Sequence, residues 1–90
     1  MKKIISKALA EQFVKAVLND NKMIQLWDNM KNNRIMEITE TISQDYFKVV
    51  FTDTVQGVIM GEETMKLSML VEIIWENRKF INQSGQLDNL

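Results

Sequence analysis

The chain has no cysteine, no histidine and no proline among its 90 residues, and it has only three glycines. Without cysteine it can form no disulfide, thiolate nucleophile or cysteine-ligated metal site, a pattern that fits a reducing cytoplasm. Without histidine it lacks the usual general base near neutral pH, the Ser-His-Asp arrangement and imidazole metal ligands. These absences exclude most classes of enzyme, and we predict a non-enzymatic protein.

Glycine-dependent binding motifs are missing as well. The sequence contains neither a phosphate-binding loop nor GxGxxG, and the metalloprotease motif HExxH is also absent. The carboxylate pairs Glu37 with Glu40 and Glu62 with Glu63 remain as candidate cation ligands. A strand would place Glu37 and Glu40 on opposite faces because their separation is odd, whereas Glu62 and Glu63 suit the first turn of a helix. We therefore predict no metal, no cofactor and no small-molecule substrate.

Size and composition indicate one small globular domain, because 46% of the residues are hydrophobic and 26% are charged. A domain of this length buries only about 60 to 65% of its unfolded surface, so a partner would add to a narrow stability margin. No apolar run approaches the roughly 20 residues that span a bilayer, and the apolar start is too short for an export signal. We predict one domain over residues 1–81, a flexible tail over 82–90 and a cytoplasmic location.

Charge is unevenly distributed along the chain although the net charge is only −1. Residues 1–34 carry seven basic and three acidic side chains, a local charge of +4, and residues 35–90 carry four basic and nine acidic ones, a local charge of −5. The balanced total disfavours a dedicated nucleic-acid binder. The polarity could still steer a partner or orient two copies of the chain.

Hydrophobic spacing predicts helices in the first third of the chain. Residues 6–18 form an amphipathic pattern, and Ser6 is a suitable N-cap. The run 19–21, Asn-Asp-Asn, favours side-chain to backbone hydrogen bonds and predicts a break. A second short helix is expected to follow, in which Met23, Trp27 and Met30 recur at helical spacing. One long helix through the asparagines is the alternative.

The spacing of apolar residues then changes to two, which predicts strands over 34–42 and 46–52. The residues expected to face the core are Met36, Ile38, Ile42, Phe47, Val49 and Phe51. The short connection between the strands predicts an antiparallel hairpin, and residues 55–60 predict a shorter third strand interrupted by Gly57. With Gly61 ending that strand and a long helix running to about Ile81, we predict an α+β two-layer domain, its helices packed on a small antiparallel hairpin or three-stranded meander.

The last predicted helix is the most distinctive feature, because eight of the eleven residues from Met65 to Trp75 are large and apolar. An ordinary amphipathic helix needs an apolar arc of only about 100°. A clean polar stripe is left only at Ser68, Glu72, Glu76 and Lys79. The surplus arc predicts an interface with another chain, formed by Met65, Met69, Val71, Ile74 and Trp75.

Two hypotheses follow for function. The first is a protein-interaction module, a regulator, inhibitor or accessory subunit that self-associates as a homodimer through the last helix. The alternative is a nucleic-acid accessory protein that uses Lys15, Lys22 and Trp27, with Trp27 stacking on bases. The composition, rich in Asn, Lys, Ile and Met, is typical of small proteins from AT-rich bacterial and phage genomes, and no motif identifies a family.

Overall fold

The computed structural model describes residues 3–20, 24–27 and 34–89. Its elements are, in chain order, α1 (Lys7–Asp20), β1 (Ile24–Trp27), β2 (Arg34–Ser43), β3 (Tyr46–Asp53), β4 (Val58–Lys66), α2 (Leu67–Glu76), α3 (Arg78–Gln83) and a 3-10 helix (Gln86–Asn89). The strands form one antiparallel sheet in the order β1-β2-β3-β4. The predicted α+β class is confirmed, with a larger sheet and shorter helices than the sequence indicated.

Helix α1 begins and ends where the sequence predicted. The Ser6 hydroxyl accepts a hydrogen bond from the backbone N–H of Leu9 at 3.3 Å, as an N-cap does. The helix ends at Asp20, inside the asparagine run. The prediction of a second short helix is wrong, because Ile24–Trp27 is a strand paired with β2. The apolar residues of so short a segment fit both the helical and the strand spacing, so pairing with a neighbouring strand decides its conformation. Met23 and Met30 lie outside the described residues.

Strands β2 and β3 form the predicted hairpin. Met36 is opposite Phe51 and Ile38 is opposite Val49, so these four side chains share the face that packs on the helices. The prediction that Ile42 faces the core is wrong, because its side chain is exposed. The register shift between Ile38 and Glu40 explains this, since after that β-bulge Thr41 rather than Ile42 is opposite Phe47 and shares its face.

Strand β4 is longer than predicted and continues through Gly61 and both glutamates to Lys66. The interpretation of Glu62 and Glu63 as a helix start is therefore wrong. Val50 on β3 is opposite Glu62, and Val49 is opposite Glu63, so the backbone here is held by pairing with β3. Charged side chains suit an edge strand, because they can stay in water while the backbone pairs.

Gly57 belongs to the β3–β4 turn rather than to a strand, and its φ is 70°. We expect Gly57→Ala to cost about 1 to 2 kcal/mol, because a Cβ is strained in this left-handed conformation although nothing lies within 4 Å of it. Gly61→Ala is the matched control, since its site is equally open but its φ lies outside that region. Urea unfolding of both variants measures the difference, and equal free energies of unfolding would contradict the turn geometry.

The predicted long C-terminal helix is a further correction, because two short helices occupy that segment. They meet at Asn77, whose φ of −100° and ψ of 11° are not helical. The Asn77 side-chain amide donates to the Ile73 carbonyl at 2.8 Å. Asparagine competes in this way for backbone acceptors, which is why it interrupts the predicted helix at this position.

The end of α3 and the 3-10 helix lie within the segment that the sequence predicted as a flexible tail, residues 82–90, of which the structure describes 82–89. The Asn82 side chain accepts a hydrogen bond from the Ile4 N–H at 2.7 Å and donates one to the Ile4 carbonyl at 3.1 Å. Leu87, in the 3-10 helix, is buried. A single leucine among polar residues has no periodic pattern, so the sequence gives no sign that it would be in the core.

The core lies between the helices and one face of the sheet. Its buried hydrophobic residues are Ile4, Ala10, Phe13, Val14, Val17, Met36, Phe47, Val49, Met65, Leu70, Ile74, Ile81 and Leu87. No polar or charged side chain in the described part of the chain is buried. One layer of helices therefore covers one face of the sheet, and the opposite face and the β4 edge face outward.

Candidate protein-interaction surface

The interface predicted on the last helix is largely inside the protein. Met65 is in β4 and Ile74 in α2, and both side chains belong to the buried core. Val71 and Trp75 are half-buried and pack against that core. Met69 is 49% exposed and is the large apolar side chain that α2 leaves in water. The structure thus places Met65 and Ile74 in the core and leaves Met69 as the most exposed member of the set.

Apart from exposed Met69, the surplus apolar arc of α2 is covered by other parts of the same chain. Helix α1 packs against α2, and the guanidinium of Arg78 covers one side of α2 by lying 3.9 Å from the centre of the Trp75 ring. The predicted polar stripe is confirmed as exposed, and its Glu72 forms an ion pair with Lys7 at 2.6 Å. The apolar arc of α2 is therefore wide because the helix packs against other elements of its own chain. Its width gives little support to an interface on α2.

The residues of the nucleic-acid alternative are not brought together by the described structure. Lys15 is exposed on α1, and its ammonium lies 3.9 Å from the Glu11 carboxylate. Lys22 lies outside the described residues. Trp27 is on β1 rather than on a helix, and its backbone alone is described. At Ile24–Trp27, the described part of the predicted second helix, the chain is therefore a strand.

Exposed apolar side chains are concentrated instead at the β3–β4 turn and the start of β4. Val55, Val58, Ile59 and Met60 are between 49% and 69% exposed, and we call these four side chains the hairpin surface. Single exposed apolar residues are normal on any protein, but a contiguous group marks an interaction site more often. The hairpin surface is the densest run of exposed apolar residues along the described part of the chain.

Sheet geometry explains why these side chains stay in water. Phe51 is opposite Gly61, and the next pair is Thr52 with Ile59, so Met60 is an extra residue in a β-bulge. Ile59, Thr52 and Ile35 are partners across three strands and share the face that points away from the helices. Three consecutive apolar residues on a strand must place at least one on each face. The three consecutive apolar residues at 58–60 therefore indicated, from the sequence alone, that at least one of them would face away from the core.

Acidic side chains follow the hairpin surface along β4. Glu62 pairs with Lys48 on the neighbouring strand, at 2.5 Å between Oε1 and Nζ. Glu63 is exposed and makes no ion pair with a described residue. The β4 edge is thus apolar in its first third and acidic in its middle, which gives it a direction that a partner can recognise.

Chemical groups elsewhere do not form a metal site, since the described residues contain no cluster of three acidic side chains able to hold an ion. An open cleft of about 590 Å³ lies between α1 and α2 and is lined by Lys7, Tyr46, Lys66 and Leu67 among others. Within it Lys7 pairs with Glu72, and Lys66 lies 5.6 Å from the centre of the Tyr46 ring. The cleft is lined by both polar and apolar residues, and most of its charged side chains contact neighbouring residues.

None of the helices in the described part of the chain has the length and apolar character needed to cross a bilayer. Comparison with known proteins finds no matching family model, no similar curated sequence and no similar solved structure.

Proposed function

We propose that this chain is a small non-enzymatic protein-interaction module that binds a protein partner through the hairpin surface. The observation that carries the proposal is the group of four apolar side chains, each between 49% and 69% exposed, within residues 55–60. Burial of apolar area against a partner is favourable by about 25 cal/mol per Å². The hairpin surface lies outside the core, so it offers this energy without any rearrangement of the fold.

The position of the group on an edge strand strengthens the proposal. A long edge strand with apolar side chains presents unpaired backbone groups and is prone to pair with other chains. A partner that covers this edge removes that hazard. The module acts in this proposal as a regulator, inhibitor or accessory subunit in the cytoplasm, and self-association is one form of the activity.

Three lysine substitutions at exposed apolar positions test the proposal. Ile59→Lys alters the hairpin surface, Met69→Lys alters the exposed side of α2, and Ile42→Lys serves as the control on β2. We expect Ile59→Lys to weaken binding at least about tenfold, because a desolvated ammonium opposes burial, and the other two to change it little. The readouts are the solution mass by light scattering and capture of partners from native extract.

The outcomes separate the candidate surfaces. Loss of binding in Met69→Lys alone would return the interface to α2 and contradict the hairpin surface. Equal binding by all three variants, or no binding by the parent in either assay, would remove the proposal. Circular dichroism confirms that each variant is folded, which is expected since all three positions are exposed.

A further inference from the structure

Methionine supplies all of the sulfur in this chain, because the sequence has seven methionines and no cysteine. Oxidants that would react with a thiolate therefore meet thioethers instead, and exposure decides which thioether reacts. The structure divides the four described methionines into two pairs. Met36 and Met65 are in the core, at 0% and 5% exposure, whereas Met60 and Met69 are each 49% exposed. Two of these four thioethers are thus accessible and two are protected.

Met60 is the accessible methionine that belongs to the hairpin surface. It is the extra residue of the β-bulge in β4, between the pair Thr52 with Ile59 and the pair Phe51 with Gly61. The neighbouring Gly61 has no side chain, and apart from its chain neighbours no atom lies within 4 Å of the position that a Cβ would take there. A small oxidant can therefore approach Met60 from the side of this glycine.

We infer that Met60 is a redox-sensitive site, at which a peroxide converts part of the hairpin surface from apolar to polar. One peroxide oxygen is transferred to the thioether sulfur, so that the O–O bond breaks and an S–O bond forms. The sulfur loses two electrons, and the peroxide is reduced to water or an alcohol. The inference rests on the proposed function, because it names a regulation of the same surface.

The chemical change acts directly on the property that makes the hairpin surface a binding site. The product of the reaction is a sulfoxide, which is polar where the thioether was apolar. A sulfoxide loses its hydration when a partner covers it, and an unpaired polar group in an apolar interface opposes binding. Enzymes that reduce methionine sulfoxide restore the thioether. Oxidation of Met60 is therefore a reversible means of weakening a partner's hold on this surface.

The fold itself is expected to withstand the oxidation. Met60 and Met69 lie outside the core cluster, so a sulfoxide at either position changes the surface and leaves the packing intact. Met36 and Met65 belong to that cluster, where a sulfoxide would place a polar group among apolar side chains. Their burial keeps them from the peroxide while the chain is folded.

Met69 provides the matched control, because it is as exposed as Met60 but lies on α2. The parent, Met60→Leu and Met69→Leu are treated with hydrogen peroxide. Leucine keeps an apolar side chain of similar size that accepts no oxygen. Tandem mass spectrometry of tryptic peptides then measures the sulfoxide at each methionine. In the parent, Met60 and Met69 should be oxidised at least about tenfold faster than Met36 and Met65.

Retention on a phenyl resin measures the exposed apolar surface without any partner. Peroxide should shorten the retention of the parent and of Met69→Leu, and it should shorten that of Met60→Leu much less. Met1, Met23 and Met30 are common to all three proteins, so their oxidation does not affect the comparison. Circular dichroism should be the same before and after treatment.

The outcomes separate the oxidation site from the proposed function. Oxidation of Met36 or Met65 as fast as Met60, or equal loss of retention in the two leucine variants, would overturn the inference. In the capture assay, a partner that binds the oxidised and the untreated parent equally well overturns the regulation and leaves the proposed function standing. An untreated parent that captures no partner contradicts the proposed function instead.

Discussion

Ile74→Asp is expected to unfold the protein at 25 °C. Ile74 is fully buried in the core that α2 shares with α1 and the sheet. The substitution removes a large apolar side chain and places a carboxylate where the described core has no buried polar partner, which costs about 4 kcal/mol or more. A domain this small has a stability near the lower end of about 5 to 15 kcal/mol. Circular dichroism should show loss of both helix and sheet.

Met69→Asp provides the matched control on the same helix. Met69 is exposed, so the new carboxylate stays in water and the expected cost is less than about 1 kcal/mol, most of it from lower helix propensity. If Ile74→Asp instead gives a folded protein of lower solution mass, Ile74 lies at an interface between copies and its core placement is wrong. Unfolding by both variants would show that α2 tolerates no charge on either side.

The hairpin of β2 and β3 was predictable because bulky residues alternate with polar ones over two adjacent segments. Phe47 and Val49 are in the core as expected. The limit of this reasoning is visible at Ile42, where the alternation continues in the sequence but a bulge reverses the face. A bulge adds one residue to one strand of a pair, and neither strand considered separately contains that information.

Helix boundaries in the last third were predicted poorly for two reasons. Glu62 and Glu63 suit a helix start, but charged residues also suit an edge strand, and pairing with β3 decides between them. Met65 was therefore assigned to a helix although it is in β4. Asn77 was placed within a continuous helix that ran to about Ile81, and its side-chain bond to Ile73 interrupts that helix.

The candidate site was missed for a related reason. The apolar arc of α2 shows how much surface must be covered, but it does not show whether the same chain covers it. Residues 58–60 carried a more specific signal, since three apolar residues in one strand cannot all face one core. The prediction of an ordinary short strand over these residues did not consider what the apolar side chain facing away from the core would contact. The three apolar residues at 58–60 of β4 thus said more about which side chains are exposed than the wider apolar arc of α2 did.

The C-terminal residues provide the second large expected effect. Leu87→Ala should lower the free energy of unfolding by about 2 to 5 kcal/mol, because Leu87 is buried in the core cluster that also contains Ile81 and Ile4, and its truncation leaves a cavity. A flexible tail would give almost no change. Urea unfolding monitored by circular dichroism measures the difference, and an unchanged slope against urea would assign it to stability.

Asp88→Ala is the control for this experiment, because Asp88 is exposed in the same 3-10 helix and should cost less than about 1 kcal/mol. If both variants match the parent, residues 86–89 contribute nothing to the core and the sequence-based tail is correct. If Leu87→Ala alone is destabilised, the C-terminal segment closes the core near Ile4. The two hydrogen bonds between Asn82 and Ile4 then hold the segment before α1 against the end of α3.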